Sequence, residues 1–353
     1  MNDRSLDSIG GGLTQWPFFH KAVSLENLFL AWREFKRGKN GNADVQEFAL
    51  ALEDNIFALH RALANGSWVP GPYTGFYIKD PKLRHIHKAS VGDRVVHQAL
   101  FRVIVPLFEK RFIAHSYSSR TGKGTHAGMR TLESFGRKES QNWTRSVYAL
   151  SADTRRFFDS VDHVILERLL AQVIPDDELM RLIQKVIRSF DVTLGKGIPL
   201  GNVTSQLFAN VYLDGFDQFA KRILKARWYA RYCDDFVIVS HDRHRLESLV
   251  APIAGFLECE LTLQLHPRKL EIRPFLQGID FLGYVVRPYH RVFRTRTKRR
   301  MFKNISRAVS LVRAGRMEPE TLTAMGHSYC GMLMHSRSQG LRNQLDQAIG
   351  TNV

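Results

Sequence analysis

Leu25, Leu28, Phe29 and Trp32 recur at helical spacing, and so do Phe48, Leu52, Ile56, Leu59 and Leu63, so residues 1–70 are predicted to be mostly helical. A basic, polar stretch at 36–42, broken by Gly38 and Gly41, reads as the loop between those helices. Val69-Pro70-Gly71-Pro72 stops the pattern ahead of an extended stretch at 73–78; residues 79–87 are basic and short-turned, and 94–108 return to helix. The middle of the chain holds two strand-like segments, each meeting acidic residues. One covers 147–152 and ends at Asp153; the other is 228–232, then Cys233-Asp234-Asp235, then 236–239, the pattern of a β-hairpin. Between them Phe208, Val211, Tyr212, Phe216, Phe219 and Ile223 line one helix face. Leu246, Leu249, Val250, Ile253 and Leu257 line another, kinked at Pro252. Helices alternating with antiparallel strands predict an α+β layer rather than a doubly wound parallel sheet. The chain shows no internal repeat and no low-complexity tract.

Composition narrows the class. A 353-residue chain that is 44% hydrophobic can bury a substantial core. No apolar run approaches the roughly 20 residues needed to span a bilayer, and Met1-Asn2-Asp3-Arg4 lacks the apolar start of a signal peptide. Three scattered cysteines, Cys233, Cys259 and Cys330, offer no metal-ligand pair and fit a reducing cytoplasm. Secreted, membrane-spanning and zinc-finger readings fall away. With 51 Lys+Arg against 34 Asp+Glu, the net charge is 51 − 34 = +17, which points to a polyanionic partner. Residues 281–317 carry eleven Lys/Arg and no acid, and the helical pattern beyond Arg299 suggests a separate basic helical domain. Solvated faces ordinarily mix both signs.

Against this positive background stand Asp153 and the Asp234-Asp235 pair. Carboxylates on adjacent strands repel one another strongly without a counter-ion. Hard oxygen ligands of this kind suit Mg²⁺. Two such ions about 4 Å apart would activate an attacking hydroxyl and stabilise a leaving pyrophosphate. The alternative, turn residues and surface charges, stays open on these residues alone.

The surrounding motifs resemble a family. Tyr232-Cys233-Asp234-Asp235 resembles the Y-x-D-D signature of reverse transcriptases, and residues 153–163, beginning Asp153-Thr154-Arg155-Arg156-Phe157-Phe158-Asp159, look like their first catalytic block. Residues 197–206 (GIPLGNVTSQ), 265–269 (LHPRK) and 281–284 (FLGY) are similar to three further blocks, and all five stand in the family's order over roughly residues 70 to 345. The resemblance implies an α+β right-hand polymerase, with fingers and palm, an antiparallel palm sheet backed by helices, and a C-terminal helical thumb. The boundaries it implies are an N-terminal helical extension at 1–70, fingers at 71–146, palm at 147–285 with fingers elements interleaved, and a basic helical thumb at 286–353. It also implies an RNA-directed DNA polymerase working on an RNA template, an RNA–cDNA duplex and dNTPs, with two Mg²⁺ ions as cofactor and Mn²⁺ as an alternative.

Residue roles follow from the same resemblance. Asp153 and Asp234 would ligate both ions, with Asp235 in support and the Thr154 carbonyl adding an oxygen. Phe158 stands where the family places a ring under the sugar of the incoming nucleotide, against a 2′-hydroxyl; an ordinary core Phe is the other reading. Lys79 and Arg84 would clamp triphosphate oxygens, or belong to a generic RNA-facing patch. Lys269 matches the position proposed to protonate departing pyrophosphate, the alternative being a solvated lysine. Ser205 and Gln206 would start the helix under the template base, although Ser is also a common cap residue. Arg120 would contact template phosphate or be a solvated loop residue, and Arg294, Arg296, Lys298, Arg299 and Arg300 would grip the duplex by its phosphates.

The block Leu200-Gly201-x-x-x-Ser205-Gln206 departs from the commoner Q-G-x-x-x-S-P pattern and resembles the reverse transcriptases of bacterial diversity-generating retroelements. Leu265-His266-Pro267 and residues 328–335 look like that group too. Leu200 has no donor or acceptor where the usual Gln has both, which suggests looser checking of the nascent base pair and error-prone copying, or simply a packing role. That group also implies a small basic accessory protein oligomer as partner, and a cytoplasmic bacterial or phage-encoded setting. Antiphage-defence reverse transcriptases share much of the pattern and make templated or untemplated, protein-primed DNA. A catalytically silent RNA-binding scaffold is the reading of another class. A group II intron maturase fits less well, given the chain length, with no room after residue 345 for an RNase H, integrase or endonuclease domain, and Gln206.

Overall fold

The computed structural model describes residues 18–79 and 83–350. In chain order the elements are α1 (Phe18–Val23), α2 (Leu25–Phe35), α3 (Ala43–Leu50), α4 (Leu52–Ala64), β1 (Thr74–Lys79), β2 (Leu83–Lys88), α5 (Val91–Glu109), α6 (Thr125–Glu139), β3 (Tyr148–Ala152), α7 (Phe157–Ser160), α8 (His163–Ala171) and α9 (Asp177–Ile187). They continue with α10 (Val203–Gln218), β4 (Trp228–Tyr232), β5 (Asp235–Ser240), α11 (Arg243–Leu261), β6 (Glu271–Pro274), β7 (Ile279–Phe281), β8 (Tyr284–Arg287), β9 (His290–Phe293), α12 (Thr295–Arg313), α13 (Pro319–Leu333) and α14 (Gln339–Gly350). Two compact units result: one holds the residues up to Lys110 with Leu166–Leu207, the other Arg111–Ile165 with everything from Phe208 on.

In the first unit, serine side chains fix where helices begin. Ser24 accepts from the Asn27 N–H to start α2, and Ser90 accepts from the Asp93 N–H to start α5. Leu28, Ala31 and Trp32 of α2 are buried where it packs along α5. The single helix expected through Phe48 and Leu63 is two, α3 and α4, broken at Ala51 with φ −122°. The Asn55 amide, which donates to the Phe48 carbonyl at 3.1 Å, satisfies one of the carbonyls orphaned by that break. The basic stretch after Lys79 is not merely turned: β2 pairs antiparallel with β1 from Thr74↔Lys88 to Lys79↔Leu83.

The second unit is built on an antiparallel sheet in the order β4-β5-β3-β6. Ala149, Ala230, Val237 and Val239 join Leu132 and Phe135 of α6 in one core cluster, while α11 packs on β3, β5 and β6. Burial on both faces explains why β5 reads as a continuous apolar run. Helix α11 continues through Pro252. A second sheet, β7-β8-β9, follows, and α12–α14 close the chain around Met301, Ile305, Leu322, Leu333 and Leu345. The α+β expectation, with antiparallel sheets and a helical C-terminus, holds. Strands β8 and β9 lie where the sequence predicted only a basic region. Among the described residues no helix is long and apolar enough to cross a membrane.

Candidate active site

Strand register brings the acidic residues together. Ala152 pairs with Phe236, so one further step along β3 sets Asp153 opposite Asp235. Strands β4 and β5 close at Tyr232↔Asp235, which leaves Cys233 and Asp234 as a two-residue hairpin loop. Cys233 has φ 55°, a left-handed conformation that disfavours a side chain by about 1–2 kcal/mol. The tight loop therefore puts Asp234 and Asp235 at the tip, beside the end of β3.

The segment after α11 completes the cluster. Arg155 N–H donates to the Gln264 carbonyl at 2.7 Å and His266 N–H to the Asp153 carbonyl at 2.8 Å. Thr154 and Leu265 thus face each other as a non-hydrogen-bonded pair, and the Thr154 carbonyl stays outside that ladder. The Thr154 hydroxyl is buried without a hydrogen-bond partner. Residues 266–269 form a turn with Pro267 at its second position, closed by Lys269 N–H to the His266 carbonyl at 3.0 Å. That turn delivers the Lys269 ammonium onto the Asp153 carboxylate as an ion pair.

The charges are poorly compensated. Burial, and then the negative charge of Asp153, push the Asp234 carboxyl above the ordinary range, with Lys269 acting the other way. Asp235 keeps an open side to solvent. Even so, the surrounding protein limits its hydration, and that, with a hydrogen bond to Asp153 and the charges of Asp234 and Asp153, raises its carboxyl too. Among the described residues, no three His, Cys, Asp or Glu side chains are already gathered into a metal cage. Mg²⁺ does not need one: it is ordinarily held by one or two carboxylates plus waters and substrate phosphates. Hard oxygen donors whose negative charge a single lysine only partly relieves fit such an ion.

The other residues singled out in the sequence fall as follows. Phe158, on α7, is half-buried, its ring edge-on to buried Phe157 at 5.4 Å, so it is not a fully enclosed core residue. Arg120 donates to the Ile113 and Ser116 carbonyls at 2.7 and 3.0 Å and stacks over Phe112, anchoring its own loop. Arg294 is paired with Asp280 and feels the attraction of Asp235, although burial lowers its pKa. Arg296, Lys298, Arg299 and Arg300 crowd the first turns of α12, which has no acid in its first turn. These residues all belong to the second unit.

Lys79, Arg84, Leu200, Ser205 and Gln206 belong to the first. Arg84 pairs across the hairpin with Ile78, and Lys79 with Leu83, so Lys79 and Arg84 stand on opposite faces. Leu200 is half-buried in the turn before Gly201, whose φ of 121° suits a glycine. Because α10 starts at Val203, Ser205 is a buried first-turn residue rather than the cap, and Gln206 is exposed.

One constellation escaped the sequence reading. Arg231, inside the apolar strand β4, is fully buried against Asp217 of α10, also fully buried. The signal was there in β4: Arg231 is a lone charge among apolar positions, and a buried charge demands a partner.

The family described as "Reverse transcriptase (RNA-dependent DNA polymerase)" matches residues 78–286. Protein YkfC of Escherichia coli (strain K12) is 28% identical over 297 residues, 73% of this chain and 75% of YkfC. The group II intron-encoded protein LtrA of Lactococcus lactis subsp. cremoris is 25% identical over 181 residues, 48% of this chain but only 29% of LtrA. A solved structure of telomerase from Candida albicans, in complex with a fragment of telomeric RNA, aligns over 65% of this chain and 46% of its own, at 12% identity and a TM-score of 0.46.

Proposed function

We propose, from the premise that this chain belongs to the reverse transcriptase family and is an RNA-directed DNA polymerase, that it copies RNA into cDNA at Asp153, Asp234 and Asp235 with low fidelity, as the polymerase of a diversity-generating retroelement. The observation that carries the catalytic reading is the convergence of these three carboxylates at the ends of β3 and the β4–β5 hairpin, with Lys269 on Asp153. Reverse transcriptases use a divalent metal. In the proposed arrangement Asp153 and Asp234 hold two Mg²⁺ ions, with Asp235 and the Thr154 carbonyl in support. Bound there, the ions supply Lewis-acid activation of a primer 3′-hydroxyl and neutralise charge on departing pyrophosphate.

The chain's own residues do the rest. Lys269, already beside Asp153, is placed to hand a proton to pyrophosphate. Arg296 and Lys298, in the first turn of α12, sit at the positive end of the helix dipole, where a cation is disfavoured by about 0.3–1 kcal/mol. A nucleic-acid backbone would offset that repulsion, which supports residues 286–353 as a thumb, with 71–146 as fingers, 147–285 as palm and 1–70 as an N-terminal extension. A small basic accessory oligomer is the proposed protein partner.

Two results test this reading. The half-exposed Phe158 ring would block a 2′-hydroxyl, so Phe158→Val should raise ribonucleotide incorporation relative to deoxynucleotide by roughly 100-fold, the scale on which a steric pocket rejects an added hydroxyl. Unchanged selectivity in single-nucleotide incorporation would count against the assignment. Low fidelity rests on Leu200, which cannot hydrogen-bond near the nascent pair. Sequencing cDNA copied from a defined RNA should show frequent errors in the wild type and fewer in Leu200→Gln. Equal, low error rates in both would remove the diversity-generating reading and leave the polymerase.

A further inference from the structure

Arg231 is 0% exposed, and all five of its guanidinium N–H groups are used. Nε and Nη2 donate to the two Asp217 oxygens at 2.7 and 2.6 Å, a bidentate fork. Nη2 also donates to Ser116 Oγ at 3.1 Å, and Nη1 to Asn210 Oδ1 at 3.3 Å. The remaining Nη1 bond, 2.9 Å, goes to the Cys233 carbonyl. Asn210 is itself fixed, donating to the Ser118 carbonyl at 2.8 Å, and Asp217 also accepts from the Tyr229 hydroxyl at 2.6 Å. The backbone of Arg231 is held on both sides: its N–H donates to the His115 carbonyl and its carbonyl accepts from Tyr117 N–H, each at 2.9 Å.

Stability alone does not account for such a group. A buried ion pair is commonly matched or bettered by apolar residues of similar volume. What apolar residues cannot do is hold the Cys233 carbonyl. That carbonyl belongs to the peptide joining Cys233 to Asp234, in a loop whose first residue is already in an uncommon conformation. Its plane sets the direction in which the Asp234 side chain leaves the backbone. We infer that Arg231, oriented by Asp217, is a positioning residue that fixes the Cys233–Asp234 peptide and so aims the Asp234 carboxylate at the metal site. The inference rests on the reading that Asp234 holds a divalent cation.

The test separates positioning from folding. The double variant Arg231→Met/Asp217→Leu removes the pair without stranding a charge, and Arg231→Lys keeps a charge beside Asp217 but loses the fork. In the full-length chain, both should keep wild-type duplex affinity and KM for dNTP. Both should lose roughly 10- to 100-fold in kcat and in Mn²⁺ affinity read by electron paramagnetic resonance, the usual range for groups that orient metal ligands. Raised Mn²⁺ should recover part of the rate. Wild-type kcat and Mn²⁺ affinity in the folded double variant would overturn the inference; should that variant fail to fold, the same result in Arg231→Lys would do so. Asp234→Asn is the control. If it keeps Mn²⁺ binding and activity, the underlying metal reading fails; if it loses both while the Arg231 variants keep them, only the positioning role fails.

Discussion

Asp234→Asn is expected to lower primer extension on an RNA template at least roughly a thousandfold, about 4 kcal/mol of transition-state stabilisation. The amide preserves the shape of the side chain and removes only the charge that would hold the cation. The same change should not harm the fold. Burial and the charge of Asp153 raise the Asp234 carboxyl above its ordinary value, so its ionised form opposes folding. The sign follows from linkage: an acid whose folded pKa is raised costs stability as pH climbs from the unfolded value through the folded one, so the wild type carries such a cost at neutral pH. Without divalent metal, the urea midpoint of Asp234→Asn at pH 7 should therefore equal or exceed that of the wild type, and the difference should vanish near pH 3. Activity would be lost while stability is held or gained, the trade expected where carboxylates are crowded for function. Residual extension within tenfold of wild type would remove Asp234 from the catalytic role.

The hairpin that carries Asp234 was legible because two apolar runs around a short polar break have few other solutions, and β4 and β5 lie where that pattern puts them. Strand β3 was legible for the same reason, and the helices of the first unit from their apolar spacing. Other features depend on partners that sequence spacing does not display. The break at Ala51 has no proline or glycine to announce it; it is stabilised by the Asn55 amide reaching back to the Phe48 carbonyl. Strands β8 and β9 are only four residues each, and with Arg287 and Arg291 in them they merge into the surrounding basic stretch. Only the pairing register sets Lys79 and Arg84 on opposite faces of one hairpin. Of the candidate site, the three carboxylates and Lys269 stand out in the sequence motifs, whereas the Arg231 fork required knowing that α10, β4 and the loop at Ser116 meet at one point.

That meeting point is where the largest loss of stability is expected. Asp217→Ala should destabilise the chain by about 3–5 kcal/mol, because it removes the carboxylate paired with a fully buried guanidinium. Burial opposes the charge on Arg231, and Asp217 more than offsets it, holding the guanidinium above its ordinary pKa. Without Asp217 the charge has no escape, since arginine does not deprotonate inside proteins. Tyr229 loses its acceptor in the same step. Arg231→Met/Asp217→Leu leaves no charge behind and should fall within about 1–2 kcal/mol of wild type. Adding Arg231→Met to Asp217→Leu should therefore restore stability rather than reduce it further, giving a coupling of several kcal/mol in the double-mutant cycle. Urea unfolding of the wild type, both single variants and the double, with m-values compared, measures this directly. Single and double variants equally destabilised would mean that the surrounding hydrogen bonds, rather than the stranded charge, set the energy of this site.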